Sequence, residues 1–197
     1  GLETVPLPEG KSTPEDWKKW ALEGREHPRL DVDVALKVIE RRKKDRKQLE
    51  RDEDYRLGFE RAQLPKIILA QRDLTGADLR EAELQGANLG VAQLQGANLR
   101  RAKLQGADLG AAQLQGAHLE GAQLQGACLG HAQLQGAHLG GAKLQGADVW
   151  SAQLQGANLG AAQLQGVDLG RAQLQGACLG HAQLQGVDLG FAELQGA

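Results

Sequence analysis

The sequence is poor in the residues that ordinary protein cores and cross-links use. It has no Met, two Cys and only 3% aromatic residues. Two Cys cannot form a disulfide framework. No apolar run approaches the roughly 18 residues of a membrane span, and no signal peptide pattern opens the chain. The absence of Met, including at Gly1, favours a fragment or a processed product.

Glycine, by contrast, is abundant, and a repeat accounts for the excess. The chain has 27 Gly in 197 residues, about twice the usual share. From Ala62 onward Leu recurs at every fifth residue between Leu64 and Leu194, with Val149 as the one exception. A ten-residue period overlies the five. Ala-Asp-Leu-Gly-Ala followed by Ala-Gln-Leu-Gln-Gly, at 107–116, is typical of it.

A period of five excludes both a helix and a long strand. Residues five apart in an α-helix are offset by about 140°, so the Leu side chains would spiral around it. In a strand they would alternate between faces. The pattern instead predicts a coil that turns a corner every five residues, with Ala and Leu pointing inward. Leu-Gln-Gly-Ala fits a type II turn, in which Gly86 and Gly96 supply the positive φ at alternate corners.

Two units, 77–81 and 97–101, match Ala-(Asp/Asn)-Leu-x-x fully, and the array resembles the pentapeptide repeat family. The resemblance implies an all-β solenoid, a right-handed quadrilateral β-helix with four pentapeptides to a coil. On that basis 62–196 makes nearly seven coils, in a rod roughly 32 Å long. We expect Gln85, Gln95 and their equivalents to form side-chain amide ladders along the corners.

Residues 1–61 lack the repeat and form a separate segment from the array at 62–197. Thr13-Pro14-Glu15-Asp16 predicts the start of one helix, and a second is expected from about Asp33 to Tyr55. Because the end of a solenoid exposes a sheet edge and an open core, we expect these helices to cap it. At the other end the sequence stops inside a unit. Either the array continues in a longer protein or two copies meet end to end.

Stacking of coils turns the sequence into a map of the surface, because residues 20 apart fall in one column about 4.8 Å apart. One outward column reads Asn88, Asp108, Cys128, Asp148, Asp168, Asp188, and the opposite one reads Asp78, Asn98, His118, His138, Asn158, Cys178. Like charges at this spacing repel, so a row of aspartates is disfavoured by stability alone. A functional explanation is that the row mimics the phosphate charges of a nucleic acid. The resemblance supports that hypothesis, since Qnr-type members of the family resemble duplex DNA and bind DNA gyrase.

The simpler interpretation of the aspartates is structural and is favoured. At this position an Asp side chain is able to hydrogen-bond a corner amide. The net charge of 62–197 is only −2, a weak field for a mimic of DNA. No projecting loop interrupts the repeats, whereas Qnr-type proteins often carry such loops.

Exposed aromatic residues complete the candidate interaction surface. Trp150 and Phe191 lie on the side of the Asp column and are able to seed a contact patch. The predicted surface consists of Asp108, Asp148, Asp168, Asp188, Trp150 and Phe191.

Other chemistry is not predicted. No nucleophile–base arrangement, phosphate-binding loop or cofactor motif is present, so we expect no catalytic residue and no cofactor. The pair His118 and His138 lies on a flat face away from His131 and Cys128, so no metal site is predicted. Cys128 and Cys178 fall on opposite sides and cannot be bridged, and unpaired thiols favour the cytoplasm.

The sequence therefore predicts a non-enzymatic rigid scaffold or protein-interaction module whose partner is unidentified. The alternative is a DNA mimic that binds DNA gyrase. The basic stretch at 41–47 is balanced by following acids and is interpreted as a solvated helix, so direct nucleic-acid binding is not expected.

Overall fold

The computed structural model describes residues 58–197, and these form one continuous β-helix. Parallel bridges join each side of a coil to the residue 20 positions later, from Gly58↔Asp78 to Gln173↔Glu193. At 20 residues a coil, the described chain makes seven coils. Within 58–197 there is no helix, and each side contributes a single bridge residue rather than a longer strand. The bridge at Gly58 extends the repeat ahead of the predicted boundary at Ala62. The predicted helical cap lies outside the described residues.

The bridges define four faces, and they confirm the columns predicted from the 20-residue spacing. The aspartate face carries Ile68, Asn88, Asp108, Cys128, Asp148, Asp168 and Asp188. The histidine face lies opposite and carries Gly58, Asp78, Asn98, His118, His138, Asn158 and Cys178. The two glutamine faces lie between them and run from Gln63 to Gln183 and from Asp73 to Glu193.

The core is a stack of Leu and Ala side chains, as the pattern predicted. From Leu64 to Ala177 the inward Leu and Ala residues are at most 3% exposed, and Val149 fits among them at 2%. At the last described coil the same inward positions open to solvent, because no described coil lies beyond it. Leu184, Leu189 and Leu194 are 39–40% exposed.

Each corner is a tight turn closed by a backbone hydrogen bond. The Ala82 N–H donates to the Leu79 carbonyl oxygen at 3.1 Å, and Glu81, the third residue of this turn, has a φ of 57°. This left-handed conformation is the one that a type II turn requires in that place. The structure places it at every corner of 58–197, on Val91 and Phe191 as well as on glycines. The prediction that alternate corners need it is therefore wrong, because all four sides of a coil close with the same turn.

The corner glutamines do not form ladders along the corners, and that prediction is also wrong. Gln115 Nε2 donates to Oε1 of Gln133, which lies 18 residues later on a glutamine face of the next coil, at 2.5 Å. The same step recurs from Gln95 to Gln113 and from Gln155 to Gln173. The side chain of each of these corner glutamines turns back toward the glutamine face that precedes it. Each hydrogen bond therefore joins a corner of one coil to a face of the next coil, not two corners.

Candidate interaction surface on the aspartate face

Each predicted aspartate first serves the backbone of its own corner. In the repeat 107–111, four of the five backbone N–H groups donate to carbonyl oxygens. The fifth, from Gly110, donates to Oδ1 of Asp108 at 2.9 Å. Asp168 and Asp188 accept the N–H two residues later in the same way, each at 2.8 Å. This hydrogen bond satisfies the remaining donor of the turn and explains why Asp or Asn is preferred at these positions.

The structure brings three of the four predicted aspartates together. Asp148, Asp168 and Asp188 occupy consecutive coils and are joined by direct bridges. Asp108 is separated from them by Cys128. The acidic part of the surface is therefore a row of three carboxylates, each with one oxygen engaged by a corner N–H.

A cation connects the two predicted aromatic residues. The guanidinium carbon of Arg171 lies 5.8 Å from the ring centroid of Trp150 and 5.9 Å from that of Phe191. The ring of His131 meets the Trp150 ring edge-on, with centroids 4.8 Å apart. We call these four side chains the aromatic stack. Phe191 is 89% exposed and Trp150 is 37% exposed, so the stack presents a continuous apolar and cationic surface.

Gly170, which has no side chain, leaves room for the Trp150 ring. A Cβ at Gly170 would lie 3.1 Å from Cδ1 of Trp150 and 2.9 Å from Oδ1 of Asp168. The indole therefore lies over a glycine in the next coil, and this orients it toward Arg171. Sequence reasoning found the two aromatics but did not place Arg171 between them. The signal was present, because Arg171 and Phe191 are exactly one coil apart in sequence.

Several charges at the first described coils are paired instead. Lys103 Nζ lies 2.7 Å from Oε1 of Glu83, and Arg61 Nε lies 2.9 Å from Oε2 of Glu81. The hydrogen bond and the charge of Arg61 hold the pKa of Glu81 below its ordinary value. The unbalanced acidic row thus belongs to the later coils.

The histidine face carries a second cluster. The rings of His118 and His138 are stacked, with centroids 4.9 Å apart and planes 9° apart. Arg100 Nη2 donates to Oε1 of Glu120 at 2.8 Å and lies 3.2 Å from Nδ1 of His118. Burial opposes ionisation of Glu120, but the hydrogen bond from Arg100, that from the backbone N–H of Glu120 and the charges of Arg100 and His118 together outweigh it, so the pKa of this carboxyl is lowered.

The bridges and the uniform turns define the class of protein, a four-sided β-helix built from five-residue repeats. The family model described as pentapeptide repeats matches residues 59–90, 92–130, 132–170, 152–190 and 168–197, in eight copies. The chain belongs to the pentapeptide repeat family, whose members generally serve structural or interaction roles. A comparison with curated protein sequences finds no match.

Solved structures of the same family are similar to this chain. A pentapeptide repeat protein from the thylakoid lumen of Arabidopsis thaliana is 33% identical, over 48% of this chain and 66% of that one, with a TM-score of 0.48. The match thus spans slightly less than two thirds of that structure. A trypsin-treated variant of QnrB1, a plasmid-mediated fluoroquinolone resistance protein, is 21% identical over 71% of this chain and 73% of that one, with a TM-score of 0.55. At this identity the likeness shows the fold alone.

HetL, a pentapeptide repeat protein from Nostoc involved in the regulation of heterocyst differentiation, is 29% identical. That match covers 72% of this chain and 86% of the other, with a TM-score of 0.29. Among the residues that the structure describes, none forms a helix with the length and hydropathy needed to cross a bilayer.

Proposed function

We propose that this chain is a non-enzymatic, rigid protein-binding rod. Its binding surface is the aromatic stack together with the row Asp148, Asp168 and Asp188. The observation that carries the proposal is the position of Arg171 between Trp150 and Phe191, which joins two separate aromatics into one patch beside an acidic row. Trp and Arg are the residues most enriched among those that dominate binding energy at interfaces.

Rigidity supports the same function. The backbone under the patch is fixed by coil-to-coil hydrogen bonds, such as Ser151 N–H to the Gly170 carbonyl oxygen at 2.8 Å. A surface that is already ordered loses little conformational entropy when it binds. The partner that fits is a protein segment with basic residues to face the carboxylates and an apolar side chain to cover Phe191.

A capture experiment tests this surface. Proteins retained by the immobilised chain are quantified for the wild type and for a variant with Trp150→Ala and Phe191→Ala. We expect retention of a specific partner to fall at least about 10-fold, since aromatic residues at the centre of an interface often contribute 2 kcal/mol or more. Equal retention by the variant would exclude the patch as the binding surface.

The chain offers a matched control for that experiment. Ile68 lies on the same aspartate face and is 69% exposed, but it belongs to the first described coil. Ile68→Ala removes exposed apolar surface from the same column without touching the aromatic stack. Retention should be unchanged in this variant.

The second candidate is a DNA mimic that binds DNA gyrase, and the acidic row favours it. Replacing Asp148, Asp168 and Asp188 by Asn removes three charges but keeps an Oδ1 acceptor for each corner N–H. If the chain is such a mimic, it alters supercoiling by gyrase and the triple Asn variant does not. Absence of any effect of the wild-type chain at micromolar concentration would reject this candidate.

A further proposal concerns the location of the protein. A cytoplasmic location is proposed because Cys128 and Cys178 are both unpaired, and free thiols are typical of reducing compartments.

A further inference from the structure

His118 and His138 depart from a rule that the Asp and Asn residues of the aspartate and histidine faces follow. On these faces a side-chain oxygen accepts a hydrogen bond from the backbone N–H two residues later, as at Asn88, Asn98, Asp108 and Asn158. His118 and His138 have no side-chain oxygen, and they stand one above the other in consecutive coils. Positions where a sequence gives up a local stabilising rule are frequently positions that serve function.

A third group with metal-binding chemistry joins the two histidines. Glu120 lies at the corner next to His118, and Nδ1 of His118 is 3.5 Å from its Oε1. Ligand atoms of His118, Glu120 and His138 all lie within 4.8 Å of one another. No metal site was predicted from the sequence, because the spacing of the histidines was considered without Glu120.

The carboxylate is also incompletely satisfied. Oε1 of Glu120 accepts a hydrogen bond from Arg100. The second oxygen, Oε2, is buried and accepts no hydrogen bond from another residue within 58–197. A buried carboxylate oxygen without such a partner is costly, and a bound cation would supply the missing interaction.

We propose that His118, His138 and Glu120 bind a divalent transition-metal ion of the zinc type. Two imidazole nitrogens and one carboxylate oxygen form a ligand set that zinc uses in proteins, with a fourth position left for water. In a tetrahedral site the ligand atoms stand roughly 3.3 Å apart, so the side chains must close from their present separation. His118 and Glu120 are partly exposed and His138 is exposed, which leaves them free to rotate while the bridge between the two coils holds their backbones in place.

Arg100 contacts two of the three proposed ligands. Its guanidinium contacts both Oε1 of Glu120 and Nδ1 of His118, so it competes with a metal cation for the same two groups. Binding of the metal requires Arg100 to swing outward, and its side chain is 46% exposed on the same surface.

Calorimetric titration of the full chain, without a polyhistidine tag, with zinc chloride tests the site. We expect one zinc per chain, and binding at least about 10-fold weaker in His118→Asn and in His138→Asn. Asn is chosen because it restores the acceptor found elsewhere on this face, so these variants are expected to fold at least as well as the wild type. His181→Asn, which changes an exposed histidine on a corner outside the cluster, should bind zinc as the wild type does.

Two further arms separate this site from other sources of zinc binding. Arg100→Gln should bind zinc at least about threefold more tightly, because a competing cation has been removed. Equal or weaker binding by Arg100→Gln would overturn the assignment of Glu120 as a ligand. The whole proposal is overturned if no saturable binding occurs, if both histidine variants bind as the wild type does, or if Cys128→Ser or Cys178→Ser abolishes binding instead.

Discussion

At the residue scale, the aspartates of the aspartate face combine two separable properties, a hydrogen-bond acceptor and a charge. Asp168 accepts the Gly170 N–H at 2.8 Å and stands between Asp148 and Asp188 in its column. The acceptor stabilises the corner, whereas the like charges on either side oppose folding. The side chain is therefore structural through its Oδ1 and open to a functional role through its charge.

Substitutions at Asp168 distinguish the two properties. Asp168→Ala should lower the free energy of unfolding by about 1 kcal/mol, the usual net value of such a hydrogen bond. Asp168→Asn keeps the acceptor and removes the repulsion, so its stability should equal or exceed that of the wild type. Urea unfolding followed by circular dichroism gives both values. Equal destabilisation by the two substitutions would show that the charge, not the acceptor, stabilises this corner.

Val91 has a strained backbone conformation because every corner uses the same turn. It has a φ of 58°, although a β-branched residue is strongly disfavoured in the left-handed region. It is also 48% exposed, so packing compensates little. Val91→Gly should raise the free energy of unfolding by about 1 kcal/mol, after the greater entropy of Gly in the unfolded chain is subtracted.

A control at the same turn position checks the cause. Ala111 also has a positive φ, of 51°, but it has no β-branch. Ala111→Gly should therefore gain less stability than Val91→Gly. Urea unfolding of both variants and of the wild type measures the two gains. A larger gain at Ala111 would mean that the β-branch is not the source of the strain.

At the element scale, one coil is stable only because its neighbours cover it. Leu114 is fully buried between two coils, whereas Leu189 in the last coil is 39% exposed. In a repeat protein, stability is a sum of repeat and neighbour-interface contributions. A Leu side chain in an inner coil therefore contributes more to the free energy of unfolding than one in the last described coil.

Truncation of these two leucines measures that difference. Leu114→Ala should reduce the free energy of unfolding by about 2–5 kcal/mol, the usual range for a buried leucine. Leu189→Ala should cost less than half as much, because part of its surface is already in water. Equal losses would contradict the covering role of the neighbouring coil.

The coil was predictable from sequence because its determinants repeat within five residues. The spacing from Leu64 to Leu194 identified the core and the columns without any long-range information. The step from Gln115 to Gln133 was not predictable, because it depends on how the side chain crosses a corner in three dimensions. The corner of Val91 was missed for a different reason: glycine is the strongest sequence signal of positive φ, and 13 of the 28 corners in 58–197 lack it.

The site was predictable only in part. Column arithmetic placed Asp148, Asp168 and Asp188 correctly in one row, and the bridges confirm it. The contacts of Arg171 and of Glu120 depend on side-chain rotation toward a neighbour, and spacing alone does not determine that. The positions of these groups were therefore predictable from the spacing, but their partners were not.

At the scale of the whole molecule, the hydrogen-bond network differs along the rod. The Leu124 N–H donates to the Lys143 carbonyl oxygen at 2.7 Å in the next coil. Within the described residues the Leu184 N–H has no backbone acceptor. In a chain of these 197 residues, amide hydrogen exchange should be fast at Leu184 and slow at Leu124. Slow exchange at both would indicate that the last coil is covered, as expected for an end-to-end dimer.

Because bridges join residues 20 apart, insertions and deletions of other lengths move later residues to a different face. The sequence repeats every ten residues, but a full coil takes 20. A duplication or loss of ten residues would preserve the core and the turns, yet it would rotate all later residues by half a coil. If that change fell between His138 and Asp148, the carboxylate row would lie on the side where His118 and His138 lie. In that segment only changes in multiples of 20 residues keep the histidines and the carboxylates on opposite faces, so selection for both surfaces would restrict the lengths available there.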